Sequence, residues 1–172
     1  MDENSLLIII LASSFSKADL HRRLRLLREY LEQRFYAPEK SLTLQDFLNE
    51  KNVDKDDQQI MLSWGESFYN GFTKETAYDV LDHMAARAKE LPTMNLYVPF
   101  TPDGKEMMKL GIWVRDNVDK NVLVDIHVDP STFGGCSFAW NGIYHDYSLR
   151  HMMGLKMNEI RKVLSDYAAH SS

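Results

Sequence analysis

Asp125, His127 and Asp129 occupy alternate positions of one short stretch, and His145 and Asp146 follow a little way downstream. Alternation places the first three on one side of an extended strand. Two carboxylates and an imidazole in that arrangement could ligate a metal ion or exchange a proton with a substrate. One reading is therefore a small metal-dependent or acid/base enzyme using His127, Asp129, His145 and Asp146. The same residues also alternate with Val122, Val124, Ile126 and Val128. The wet side of a two-faced sheet would need polar residues at just those places, with no chemistry attached. Other catalytic signatures are missing from the sequence: no Gly-Lys-Ser/Thr phosphate loop, no Gly-x-Ser-x-Gly elbow, no His-Glu-x-x-His zinc motif. No cofactor is expected. The single cysteine, Cys136, cannot form an internal disulfide; it reads as a small packed residue in a chain built for a reducing compartment.

The elements that would position these groups fall into two halves of different period. Up to about Leu91 the pattern is helical. Leu20, Leu24, Leu27, Leu31 and Phe35 form one stripe, with Ser16 placed to cap it and Pro38 to stop it. Ala77, Leu81, Met84, Ala88 and Leu91 form another, expected to start at a Thr73 cap with Glu75 in the first turn and to end at Pro92. Leu44, Phe47 and Leu48 lie between them, as do Ile60, Trp64 and Phe68, the latter set closed by Gly71 as a left-handed cap. Helices with one apolar stripe each are unstable alone and imply a bundle.

From Pro92 the period becomes two. Met94, Leu96, Val98 and Phe100 define a strand. Thr101-Pro102-Asp103 opens a crossover helix with proline in its first turn and Met107, Leu110, Val114 and Val118 on its apolar side. The Val122–Val128 strand follows. Cys136–Trp140 and Ile143–Leu149 then flank Asn141-Gly142, a two-residue hairpin turn. Met153 to Ala169 closes the chain as a helix with Leu155, Ile160, Leu164 and Tyr167 as its apolar set. The expected fold is α+β: an N-terminal helical bundle, residues 1–91, then a small C-terminal α/β domain, residues 92–172, with a strand-helix-strand-hairpin core and a last helix. Alanine at Gly111, inside the crossover helix, should be harmless because alanine favours helix. Valine at Gly135, before the hairpin, should not be.

Composition restricts the partners. The 172 residues are 44% hydrophobic and 26% charged, ordinary for a globular protein, and the net charge of −5 argues against a general nucleic-acid binder. The longest apolar run, Leu6 to Ala12, is too short to span a bilayer, and the residues before it lack the basic character of a signal peptide, so neither a span nor a secretion signal is expected. Arg22, Arg23, Arg25 and Arg28 cluster opposite the Leu20 stripe, either to meet an acidic partner or simply to be solvated.

Two segments carry a family likeness. Asp129-Pro130-Ser131-Thr132-Phe133-Gly134-Gly135, followed after a hairpin by Asp146-Tyr147-Ser148-Leu149-Arg150, resembles the C-terminal signature of the delta subunit of F-type ATP synthases, the oligomycin-sensitivity-conferring protein of mitochondria. In that family a strand ends in Asp-Pro-Ser-x-x-Gly-Gly, and the hairpin's second strand leads through Asp-Gly-Ser-x-Arg-Gly-Arg-Leu into the last helix. Asp129, Pro130, Ser131, Gly134 and Gly135 fall on the first motif; Asp146, Ser148 and Arg150 fall on the second. Tyr147 and His151 stand where the family usually has glycines, and Met152 where it has its second arginine. The likeness covers roughly the last eighty residues.

The resemblance implies a non-catalytic peripheral-stalk, or stator, subunit that prevents the catalytic head from turning with the rotor. Its helical N-terminal domain would receive the N-terminus of an alpha subunit, and its C-terminal domain the C-terminal helices of the b subunits. The chain would meet no nucleic acid and would meet the membrane only through the complex, on the cytoplasmic face or on the matrix or stromal face of an organelle. The residues themselves assign the motif mainly to turn formation: Asp129 bonding amides in a turn stiffened by Pro130, the glycine pair reversing the chain, and Asp146, Ser148 and Arg150 competing to cap or pair at the start of the last helix. The rivals are the enzyme above and an unrelated helical adaptor.

Overall fold

A computed structural model of the chain describes residues 2–37 and 42–170, with side chains described to residue 167. In chain order the elements are α1 (Glu3–Ser13), α2 (Lys17–Tyr36), α3 (Leu44–Glu50), α4 (Lys55–Ser63), α5 (Gly65–Tyr69), α6 (Ala77–Glu90), β1 (Thr93–Val98), α7 (Gly104–Asn117), β2 (Leu123–Val128), a short 3-10 turn (Pro130–Thr132), β3 (Gly135–Trp140), β4 (Ile143–Ser148) and α8 (Leu149–His170). The fold is α+β, with helices first and strands with a last helix after. Pro38, expected to stop α2, lies outside the described residues.

Two compact units form, Met1–Thr93 with Asp103–Leu123 and Met94–Pro102 with Val124–Ser172. They are not the two sequence halves, because α7 belongs with the helices of the first unit although it connects two strands of the second. In the first unit Leu20, Leu27 and Leu31 of α2 are buried with Leu6 and Ile10 of α1, Met61 of α4, Phe68 of α5 and Met84 of α6. Ser16 caps α2, its hydroxyl accepting from the Asp19 amide at 3.0 Å. The Ile60–Trp64–Phe68 stripe is broken into α4 and α5 at Gly65, and it is Gly65, with φ +75°, that takes the left-handed conformation, not Gly71. The break re-aims the chain while Trp64 and Phe68 stay in one core. Thr73 caps only a turn, its hydroxyl accepting from Thr76 N at 3.3 Å; α6 itself starts at Ala77, so Glu75 lies ahead of the helix.

α7 begins with a capping box: the Asp103 carboxylate accepts from Glu106 N at 2.8 Å and the Glu106 carboxylate from Asp103 N at 2.9 Å. Pro102 therefore precedes the cap and is not in the first turn. What fastens α7 to the bundle is Arg115, which donates to the carbonyls of Leu11 (2.6 Å) and Ser14 (2.7 Å) and lies 4.7 Å over the Phe15 ring. Leu11 O accepts only the 3.2 Å bond from the Ser14 cap amide and keeps a second lone pair open, so an arginine satisfies these terminal carbonyls well. Gly111 sits against the same ring, and a Cβ there would overlap Phe15 Cβ, Cγ and Cδ1. The expectation that alanine is harmless at Gly111 is thus overturned: propensity favours it, but contact decides. Gly111→Ala should cost about 1–3 kcal/mol in urea unfolding, the range for overpacking where the neighbour cannot yield. Phe15→Gly in the same chain, which removes the Cβ together with the ring, should relieve the effect of the added methyl.

The second unit is built on a sheet of strand order β2-β1-β3-β4. β1 and β2 run parallel, since Leu123 N donates to Pro92 O and Asp129 N to Val98 O, the partners advancing together. β3 is antiparallel to both β1 and β4, with Leu96 opposite Phe138 and Phe138 opposite His145. Asn141 (φ +49°) and Gly142 (φ +77°) make the expected two-residue turn. Met94, Leu96 and Val98 are buried, whereas Phe100 lies beyond the strand and is exposed.

Candidate functional site

Asp129, Pro130, Gly135, Asp146 and Ser148 of the matched motif each have a specific backbone task. The Asp129 carboxylate accepts from Ser131 N at 2.9 Å, and Pro130 opens the 3-10 turn with its fixed φ. The bond to Ser131 holds the Asp129 carboxyl below the usual carboxylate range. The chain then turns through two left-handed residues, Phe133 (φ +57°) and Gly135 (φ +71°). Gly134 takes no such conformation, and a side chain there would meet Leu149 only at ordinary contact distance. The pair therefore divides: Gly135 is required, and the second reversal falls on Phe133, which sequence reasoning missed because non-glycine residues seldom adopt it. A Cβ at Gly135 would overlap the Tyr147 carbonyl oxygen, a main-chain atom of the neighbouring strand.

At the other end of the hairpin the Asp146 carboxylate accepts from Ser148 N at 2.8 Å, which lowers its pKa. Ser148 caps α8, its hydroxyl accepting from His151 N at 3.1 Å. Leu149 N donates to Gly134 O at 2.9 Å, tying the start of α8 to the turn. Among the competing expectations Ser148 is the cap. Arg150 forms no ion pair with a described residue, though its charge helps lower both Asp129 and Asp146. The motif thus acts as a bracket that fixes where α8 begins and how it leaves the sheet. Tyr147, in a position the family usually gives to glycine, is exposed and stacks at 6.0 Å on Phe138.

α8 is the open feature of this unit. Leu149, Met152, Met153, Met157, Ile160, Val163, Leu164 and Tyr167 are all exposed. At 3.6 residues per turn these residues occupy one arc of roughly 140°, wider than a strict two-stranded seam. Leu155, expected in the apolar set, falls on another side of the helix. Met153, Met157, Ile160, Leu164 and Tyr167, spaced four, three, four and three, were the signal that could have identified the face.

The proposed catalytic groups are not gathered. His127 lies 3.4 Å from Asn95 and 4.0 Å from Asp125 and stacks on Tyr97. His145, opposite Phe138, points to the other face, that of Leu96. Asp129 is occupied in its own turn. No group of three or more His, Cys, Asp or Glu among the described residues could hold a metal ion. Cys136 is half-buried, and burial pushes its thiol pKa up.

The basic cluster on α2 is mostly used internally. Arg22 pairs with Asp57 and Asp19, Arg23 with Asp57, and Arg28 with Asp82 of α6, while Arg25 stays exposed without a partner among the described residues. Beside Arg28 a shallow depression between α2 and α6 is lined by Leu31, Phe35, Tyr36, Tyr78 and Leu81. No helix among the described residues is long and apolar enough to cross a membrane. No family model matches the chain, and no curated protein matches it.

Proposed function

We propose that this protein is a non-catalytic peripheral-stalk subunit of an F-type ATP synthase, with the first unit holding the catalytic head and the second the stalk. The observation that carries the reading is the junction of motif and helix. The residues matching the delta-family signature build the bracket from which α8 springs, and α8 carries a long apolar face that is exposed among the described residues. An amphipathic helix in this state buries its stripe by docking against other helices, which suits the C-terminal helix of a b subunit. The order strand, hairpin, last helix is also the one the resemblance implies. On the first unit, the helical bundle is where the resemblance implies that the N-terminal helix of an alpha subunit docks.

The test uses the full chain, tagged at its N-terminus and expressed in its own organism. The alpha and b polypeptides of the synthase should copurify with it. A chain ending at Ser148 should retain alpha and lose b. Copurification of neither would overturn the proposal.

A further inference from the structure

The apolar arc of α8 is not uniformly apolar. Lys156 projects from within it, between the positions of Val163 on one side and of Leu149 and Tyr167 on the other, and Arg161 lines one edge beside Met157. Neither cation forms an ion pair with any described residue. Over residues 149–170 there are four Lys and Arg (150, 156, 161, 162) against two Asp and Glu (159, 166), a net of +2 in a chain whose total is −5. Positive charge is therefore concentrated on the element with the open face.

A helix that covers this face must cover Lys156 with it. A buried ammonium without a counter-charge is strongly unfavourable, and a charged residue inside an apolar seam therefore selects partner and register. A second copy of α8 lying parallel at the same height would set Lys156 against Lys156. An antiparallel copy would bring the Arg161 edges together.

We infer that the occupant of the α8 face is an amphipathic helix of a different chain that places a carboxylate opposite Lys156, inside its own apolar stripe, and further carboxylates along the edge meeting Arg161. This rests on the stator reading only in naming the stalk helix as that chain; the charge pattern demanded of the occupant follows from α8 itself. Lys156 then sets the register of the two helices, and Arg161 sets which side of the partner lies on which side of α8.

Two designed helical peptides test this, identical in their apolar residues, one with glutamate and one with lysine at the seam and edge positions. Fluorescence anisotropy with the full chain should show the glutamate peptide binding at least tenfold more tightly. Lys156→Glu/Arg161→Glu, both exposed substitutions that leave the fold intact, should reverse the preference. Equal binding of both peptides, or reversal failing in the double variant, would overturn the inference. So would sedimentation of the wild-type chain as a dimer that becomes monomeric when the chain ends at Ser148. The two readings fail separately. If the stalk polypeptide copurifies equally well with wild type and double variant, the charge pattern is wrong and the stator reading stands. If the peptide preference holds and no part of the synthase copurifies, the reverse is true.

Discussion

Asp57→Asn is expected to lower the unfolding free energy by about 3–5 kcal/mol, the range for removing one partner of a buried ion pair. The Asp57 carboxylate is 2% exposed and accepts from Arg23 Nε at 2.8 Å, from Arg22 Nη2 at 3.1 Å and from Arg22 Nε. Arg23, 5% exposed, donates from Nη1 to Ser13 O (2.6 Å) and Ser14 Oγ (3.0 Å). One carboxylate thereby joins α4 to α2 and, through Arg23, to the end of α1. Asparagine keeps the volume but leaves Arg23 charged and uncompensated in the core. Against a total stability of roughly 5–15 kcal/mol such a loss brings the chain close to unfolding. Urea denaturation measures it, and Glu90→Gln, at the exposed end of α6, should be silent. Arg23→Met/Asp57→Leu should recover most of the loss, because it removes both charges together. An unchanged midpoint for Asp57→Asn would show the pair to be solvated.

The same pair gives a pH dependence. Burial pushes the Asp57 carboxyl up, but Arg22 and Arg23 together outweigh burial and hold it below its ordinary value of 3.8. A carboxyl depressed in the folded state stabilises the fold fully above its unfolded pKa. Stability from this site is therefore lost only as pH falls below about 3.8 toward the lower folded value, and Asp57→Asn should flatten that part of the acid limb.

Gly135→Val is the second large effect. Its φ of +71° costs a β-branched residue about 1–3 kcal/mol by itself. The added Cβ would also overlap the Tyr147 carbonyl oxygen, which belongs to the strand paired with it (Gly135 opposite Ser148), so no side-chain rotation relieves the overlap. The total should therefore lie at or above the top of that range. Loss should centre on the hairpin and the start of α8, and amide exchange at Ser148 and His151 should accelerate far more than exchange in α2. Gly142→Asn is the control: φ is +77° but nothing lies within 4 Å, and asparagine accepts the left-handed region, so it should cost under roughly 1 kcal/mol. Comparable losses for the two would show that the strand contact at Gly135 does not matter.

Local pattern by itself determined most elements of this protein. Period-four stripes placed α2 and α6, strict alternation placed β2, Asn141-Gly142 placed the hairpin, and Asp129, Ser148 and their neighbours could be read as turn and cap residues because those bonds span two or three positions. Such features depend on the chain's own backbone geometry, which neighbouring residues largely set. Tertiary structure decided what local pattern could not encode. Gly111 looks like a poor helix residue until Phe15 is found against it, and Arg22 and Arg23 look like a solvated basic face until Asp57, more than thirty residues away, is found between them. His127 and His145, both on strands, look like partners until the pairing register sends them to opposite faces. These outcomes depend on which distant surface each face meets. The same dependence explains α8, whose apolar residues are visible in the sequence but whose exposure among the described residues is a fact of the folded chain alone.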